Sequence, residues 1–426
     1  MGQYSLVCDL NLFSKIPRLH TFDSWIYYPN YRFLWIGNFF ANGAIWLQLL
    51  SVGWLVQHLT EGQTSSALLV VTIGAVNTLP ALFVSPWGGV LGDRLDRRKL
   101  VISLQLFMTC MAFLFAFLIL LDWIEVWHAY VYVLISGVCR SLIQPLRQAL
   151  VANTVPKEAL GNALATNVLT ITGTRLIGPF FGGILIAFLG FFWNFMVEGF
   201  LYLGMVLAFL PMRTPYYEPR DESHRKSFLA DLKEGIVYIW RGERVILHLM
   251  ILALIPNVLL HPVWFMFPIF TVEVLKAGPD VGGYLLAITG LGGLIAAVTI
   301  SSFGFIFKKG KVVLGSVVCS SITVILFAWS PWVPVAFVVI AAMAFFQAAF
   351  RTTNGTLIQT LVPDELRSRI TSLQSIGMGL VVFSSLAVGW FVSFTSVVFT
   401  ITTIGIVGVG LSVFLAAIQK MVGRLE

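Results

Sequence analysis

A chain built from about twelve apolar stretches, each long enough to cross a bilayer and separated by short polar breaks, has few folds open to it. Lipid offers no hydrogen-bond partners, so spanning segments of this length must satisfy their own backbones as helices. The stretches run at roughly 33–56, 67–91, 99–121, 128–150, 160–189 and 191–211, then 245–272, 281–307, 312–330, 333–358, 369–392 and 397–419. Hydrophobic residues make up 58% of the chain and charged ones 11%, against about 45–50% and about 25% in soluble domains. A soluble protein is excluded, and the expected class is an all-α membrane protein.

The net charge of +7 does not point to nucleic acid. Of 27 Lys and Arg only Lys276 falls on the loops that carry Glu61, Asp122, Glu125, Glu273 and Asp280. This is the positive-inside asymmetry, and it places both termini in the cytoplasm and the chain in a plasma or bacterial inner membrane. Residues 1–30 read as a cytoplasmic or interfacial extension, 31–211 as a first six-helix half, 212–244, with seven cations and six acids, as a cytoplasmic linker, and 245–426 as a second half. Cys8, Cys110, Cys139 and Cys319 lack metal-ligand spacing and are expected as free thiols.

The densest charge run is Gly88-Gly89-Val90-Leu91-Gly92-Asp93-Arg94-Leu95-Asp96-Arg97-Arg98-Lys99, a short turn between the second and third spans. Its cations pin the turn to the cytoplasmic side, and Gly89 and Gly92 allow another helix close. Asp93 faces the negative end of its own helix dipole and needs an outside positive partner. Gly89, Asp93, Arg94, Arg97 and Arg98 resemble the loop 2-3 signature of the major facilitator superfamily, Gly-x-x-x-Asp-Arg/Lys-x-Gly-Arg-Arg/Lys, with Asp96 in place of the second glycine. The resemblance implies twelve transmembrane helices in two pseudo-symmetric six-helix halves, a cavity between them, and a motif that steadies one state of a transport cycle. Val155-Pro156-Lys157-Glu158 recurs as Val362-Pro363-Asp364-Glu365, as an internal repeat requires.

The fourth span carries Arg140, Gln144 and Arg147, and the tenth Gln347, Arg351 and Asn354, each trio at i, i+4 and i+7 and so on one helix face. Asn38 and Asn42 share a face of the first span, and Asn257 and His261 lie among Pro256, Pro262 and Pro268 on the seventh. Polar faces are costly in lipid and are expected to line a water-filled substrate cavity; snorkelling is the alternative for Arg147 and Arg351, nearest the cytoplasm. The three prolines make the seventh helix a candidate for bending.

Arg175-Leu176-Ile177-Gly178-Pro179-Phe180-Phe181-Gly182-Gly183 on the fifth span resembles the antiporter motif of drug and proton exchangers, although similar clusters also serve as plain packing sites. Together with Pro29-Asn30-Tyr31-Arg32-Phe33-Leu34-Trp35 and Pro268-Ile269-Phe270, these stretches resemble the enterobactin-exporter-like transmembrane secretion effectors. That branch implies export of an amphipathic small molecule, siderophore-like or drug-like, by proton antiport. A passive facilitator or importer of the same fold is the alternative. No Gly-x-x-x-x-Gly-Lys-Ser/Thr or His-Glu-x-x-His occurs, so no cofactor, metal or enzymatic activity is expected. A monomer in the bilayer is.

Glu198 is the acid deepest in the membrane: it is the leading proton carrier, with His261 behind it, or else the partner of Arg175. Arg140 and Arg175 both fall mid-span, where a lone Arg costs roughly 2.5–3.5 kcal/mol. Glu198 can offset only one, so Arg140, on the polar stripe, is expected to meet an anionic or strongly accepting group of the cargo. For the gate, Asp93 is expected to dock on the start of the eleventh helix or on Arg147, and Arg94 and Arg97 on Glu158 or linker acids. Asp93→Asn is therefore expected to cut transport in a vesicle assay at unchanged expression; retained turnover would reduce the run to a topogenic role.

Overall fold

The computed structural model describes residues 22–63, 65–216, 244–303, 308–362, 370, 373–374, 377 and 379–418. The expected tail before residue 22, most of the linker and the second repeat motif at 363–365 lie outside them, as do the side chains of Gly89, Gly92, Asp93 and Arg94. Among the described residues there are helices and no strands, and ten helices or helix runs are long and apolar enough to cross a membrane.

The first four spans are Pro29–Leu59, Ser66–Arg94, Arg97–Leu120 and Val126–Thr154. Leu160–Phe209 holds the fifth and sixth, joined at Gly190 with φ 81° and ψ 177°. That backbone region is open essentially to glycine alone, so two helices meet there without a loop. The seventh span changes geometry three times: Arg244–Leu254 is α-helical, Ile255–Leu259 a π turn, His261–Met266 a 3-10 turn and Phe267–Glu273 α-helical again. Pro256, Pro262 and Pro268 each stand second in a new segment, where a missing N–H costs least. The remaining spans are Pro279–Phe303, Lys309–Ala328, Val333–Leu361 and Val397–Ile418, with Val381–Val392 the described part of the eleventh.

The charge run is built into the helix ends. Asp96, the departure from the signature, N-caps the third span by accepting from the Lys99 N–H at 3.0 Å, a role glycine cannot fill. Arg98 donates from Nε to the Phe209 carbonyl at 2.9 Å and from Nη2 to that of Leu210, covering orphan carbonyls at the end of the sixth span. Arg97 donates to Asn153 Oδ1 at 3.2 Å. Glu158 is exposed on the 3-10 turn Lys157–Ala159. Just before the first span, Ser24 accepts no solvent role: its N–H donates to Asn162 Oδ1 at 3.0 Å and its hydroxyl to the Ala159 carbonyl at 3.3 Å. The short helix Asp23–Tyr27 is thereby tied to the start of the fifth span.

The halves meet mainly where the fifth span packs on the eighth and the second on the eleventh. At the fifth–eighth crossing a Cβ on Gly183 would stand 2.8 Å from the Pro279 carbonyl oxygen and 2.9 Å from the Gly283 Cα, so the backbones touch. Nearby, Gly53 lies against Pro268. These contacts seal the end of the bundle that bears Glu61, Asp122 and Glu273, termed here the acidic end; Arg97, Arg98, Lys157 and Lys309 mark the basic end.

Because the neighbours of Gly183 are backbone atoms, Gly183→Val is expected to destabilise by about 1–3 kcal/mol. A lower melting temperature of the purified protein would report it, whereas Gly161→Ala, at a glycine with nothing within 4 Å, should leave melting unchanged.

Candidate functional site

In the first half, the polar residues proposed to line a cavity are used up between helices. Arg147 is 6% exposed and donates from Nε to Asn38 Oδ1 at 2.7 Å, and from Nη2 to the Asn38 carbonyl at 3.2 Å and Asn42 Oδ1 at 3.0 Å. The amide nitrogen of Asn38 continues to Asn167 Oδ1 at 2.8 Å, and that of Asn42 to Thr170 Oγ1 at 3.0 Å. Spans one, four and five are thus stapled by one network around a buried cation. All its acceptors are neutral, and five N–H donors in a planar fork are what allow a single side chain to reach two helix turns.

Arg140 is likewise held inside the first half, where Nη2 donates to the Asn77 carbonyl at 3.1 Å and to Asn77 Oδ1. Together with Gln144, Gln105 and Tyr202 it borders a cavity of about 20 Å³, room for about one water. Asn77, a polar residue in the second span, thus takes one nitrogen of the Arg140 fork.

Glu198 is fully buried. Its Oε1 accepts from the Tyr132 hydroxyl at 2.6 Å, Tyr202 lies beside the same carboxylate, and Oε2 has no hydrogen-bond partner among the described residues. Phe115 stacks on Tyr132 at 4.5 Å and meets Phe195 edge-on at 4.7 Å, closing the box. Arg175 is not its partner. The guanidinium of Arg175 lies over Trp46 at 5.5 Å and Trp264 at 5.3 Å, one ring from each half, a cation–π arrangement. Neither tryptophan was singled out in the sequence.

The glycines of the antiporter-like motif divide between two contacts. Gly178 faces Trp46 and Gly43, and Gly182 faces Leu47 and Leu50, all on the first span. Gly183 faces the eighth span of the other half, and the Pro179 carbonyl points at Gly283. Pro179 itself is buried within the continuous helix.

The second half keeps its polar groups open. Arg351 is exposed and borders, with Asn257, Asn354 and Gln374, a cavity of about 370 Å³ walled by Met250, Leu254 and Phe350. Gln347 Nε2 and Asn354 Oδ1 are buried without hydrogen-bond partners. His261 packs edge-on to Phe265 at 5.5 Å, with Arg351 and Arg175 as its charged neighbours. A separate space of about 50 Å³ lies between the halves toward the acidic end, bordered by Gln48, Asn77, Trp264 and Phe265. Of the residues proposed from sequence, Asn257, His261, Arg351 and Asn354 therefore share one region with Arg175, while Asn38, Asn42, Arg140 and Arg147 do not. Among the described residues no cluster of three or more His, Cys, Asp or Glu could hold a metal.

Known proteins share the family and the helical fold of this chain. A family model described as transmembrane secretion effector matches residues 25–424. A Na(+), Li(+), K(+)/H(+) antiporter of Planococcus maritimus is 22% identical over 376 residues, covering 80% of this chain and 84% of that protein. The enterobactin exporter EntS of Shigella boydii serotype 18 is 26% identical over 352 residues, covering 81% of each. Among solved structures, a peptide transporter POT in complex with sulfate is alike in fold, with a TM-score of 0.72 at 12% identity over 93% of this chain and 95% of that one. The chain is a multi-pass membrane transporter and belongs to the transmembrane secretion effector branch of the major facilitator superfamily.

Proposed function

We propose that the protein exports an amphipathic small molecule, siderophore-like or drug-like, by proton-coupled alternating access, with the basic end and both termini in the cytoplasm. The observation that carries this reading is the one-sided cavity: about 370 Å³ beside Arg351 and Asn354, against about 50 Å³ between the halves toward the acidic end. Cargo enters from the basic end, where the positive-inside asymmetry puts the cytoplasm. The export direction and the exchange of protons are supported by relatives named as an exporter and as a cation/proton antiporter. The gate is assigned to the charge run, with Gly89, Gly92, Asp93 and Arg94 completing what Arg97 and Arg98 anchor. Uptake of a fluorescent drug into inverted membrane vesicles, abolished by a protonophore, tests the reading; uptake that survives the protonophore identifies a passive facilitator.

For coupling we assign Glu198. A carboxylate closed off by Tyr132, Phe115 and Phe195 is costly to leave charged, so loading it with a proton changes the energy of the first half. Tyr202 stands next to both Glu198 and Arg140, which connects it to the small cavity at Arg140. Glu198→Gln is expected to abolish uphill drug accumulation while counterflow exchange across the same vesicles persists. Loss of both, with normal protein levels, would assign Glu198 elsewhere in the cycle, and loss of protein would make it structural.

A further inference from the structure

Two cations of the open region have no counter-charge among the described residues. Arg175 belongs to the first half and Arg351 to the second, and they are near enough to act on one another and on His261. Among the described residues no carboxylate acts on either guanidinium. The Nε of Arg175 is buried without a hydrogen-bond partner, while Trp46 and Trp264 flank the guanidinium from the two halves. Ring contacts fix the plane of the fork and leave its donor edge unused.

The contrast with the first half is informative. Arg140 and Arg147 both have donors taken by amide and carbonyl oxygens. Fork donors can therefore be satisfied by neutral neighbours in this fold. Arg175 Nε and the Gln347 Nε2 beside Arg351 are instead buried donors left open among the described residues, and Arg351 faces the cavity. Open donors and cationic charge beside a cavity favour a ligand that supplies acceptors and negative charge together.

We infer that Arg175 and Arg351 form a two-part anion site that takes the acidic groups of an amphipathic organic acid, whose apolar body lies along Met250, Leu254 and Phe350. The inference rests on reading the open cavity as the cargo site. An anion between the halves also replaces like-charge repulsion across their interface with attraction to both sides. Binding then favours the state in which the halves approach at that level, and a neutral cargo lacks this contribution.

The test uses the full-length protein in lipid nanodiscs, titrated calorimetrically with naphthalene-2,6-dicarboxylate and with the corresponding diamide. The dicarboxylate is expected to bind roughly tenfold or more tightly than the diamide, as a charge-assisted contact requires. Arg351→Gln should remove that preference and Arg351→Lys retain part of it. Arg351 is exposed, so these variants keep the test usable even if Arg175→Gln does not fold. Equal affinities in the wild type, no measurable dicarboxylate binding, or a preference that survives Arg351→Gln overturns the site. Uptake of a neutral dye into vesicles separates the two readings. Dye export without any dicarboxylate preference overturns the anion site and keeps the exporter; selective, Arg351-dependent binding in a protein that moves neither compound supports the site and removes the exporter.

Discussion

The backbone contact between Gly183 and Gly283 is the constraint on which the rest of the structure leans. In a bilayer no hydrophobic force drives helices together, because lipid is as apolar as the side chains, and association depends on close packing instead. Two glycines facing one another give the fifth and eighth spans that packing without interlocking side chains. The acidic end is thereby closed at this crossing, and the cavity beside Arg351 lies within the second half. A seal of bare backbones has no knobs to withdraw from holes, so it can part as a unit when the halves rock. The same span uses Gly178 and Gly182 to hold the first helix within its own half. One short motif thus serves both the permanent and the reversible contact.

Both halves combine buried polar networks with buried polar atoms left open among the described residues. In the first half Arg147 is spent on Asn38 and Asn42, Arg140 on Asn77, and Asn194 donates to the Gly182 carbonyl at 3.1 Å, while Gln48 Nε2, Gln105 Nε2, Arg175 Nε and Glu198 Oε2 stay open. Such networks are rigid, since loosening one member strands a buried donor. The second half leaves Gln347, Asn354 and His248 with open atoms and runs its seventh helix through π and 3-10 turns.

Much of the fold was legible in the sequence. Lengths of apolar runs located the spans to within a few residues, as Pro29–Leu59 against the expected 33–56 shows, and the charge asymmetry marked the two ends. Side-chain partners were not legible. A trio at i, i+4, i+7 fixes a shared face, yet whether that face meets a cavity depends on what the next helix offers at the same depth. Asn77 and Asn38 intercept Arg140 and Arg147, while the tenth-span trio meets open space or nothing. Arg175 and Glu198 are the nearest buried opposite charges in the first half by sequence, but Arg175 turns to two tryptophans and Glu198 to Tyr132. Asp96 looked like a flaw in a motif until its N-cap hydrogen bond to Lys99 gave it a role.

The account's central claim is that the two ends of the bundle open in alternation. Its most direct test is a pair of distances measured by spin labels in liposomes, on a background without the native cysteines. One pair, at Glu61 and Lys276, spans the acidic end; the other, at Leu95 and Lys311, spans the basic end. With cargo and an imposed proton gradient, the account predicts that the acidic-end distance lengthens as the basic-end distance shortens. Distances that stay fixed, or that lengthen together at both ends, would contradict it.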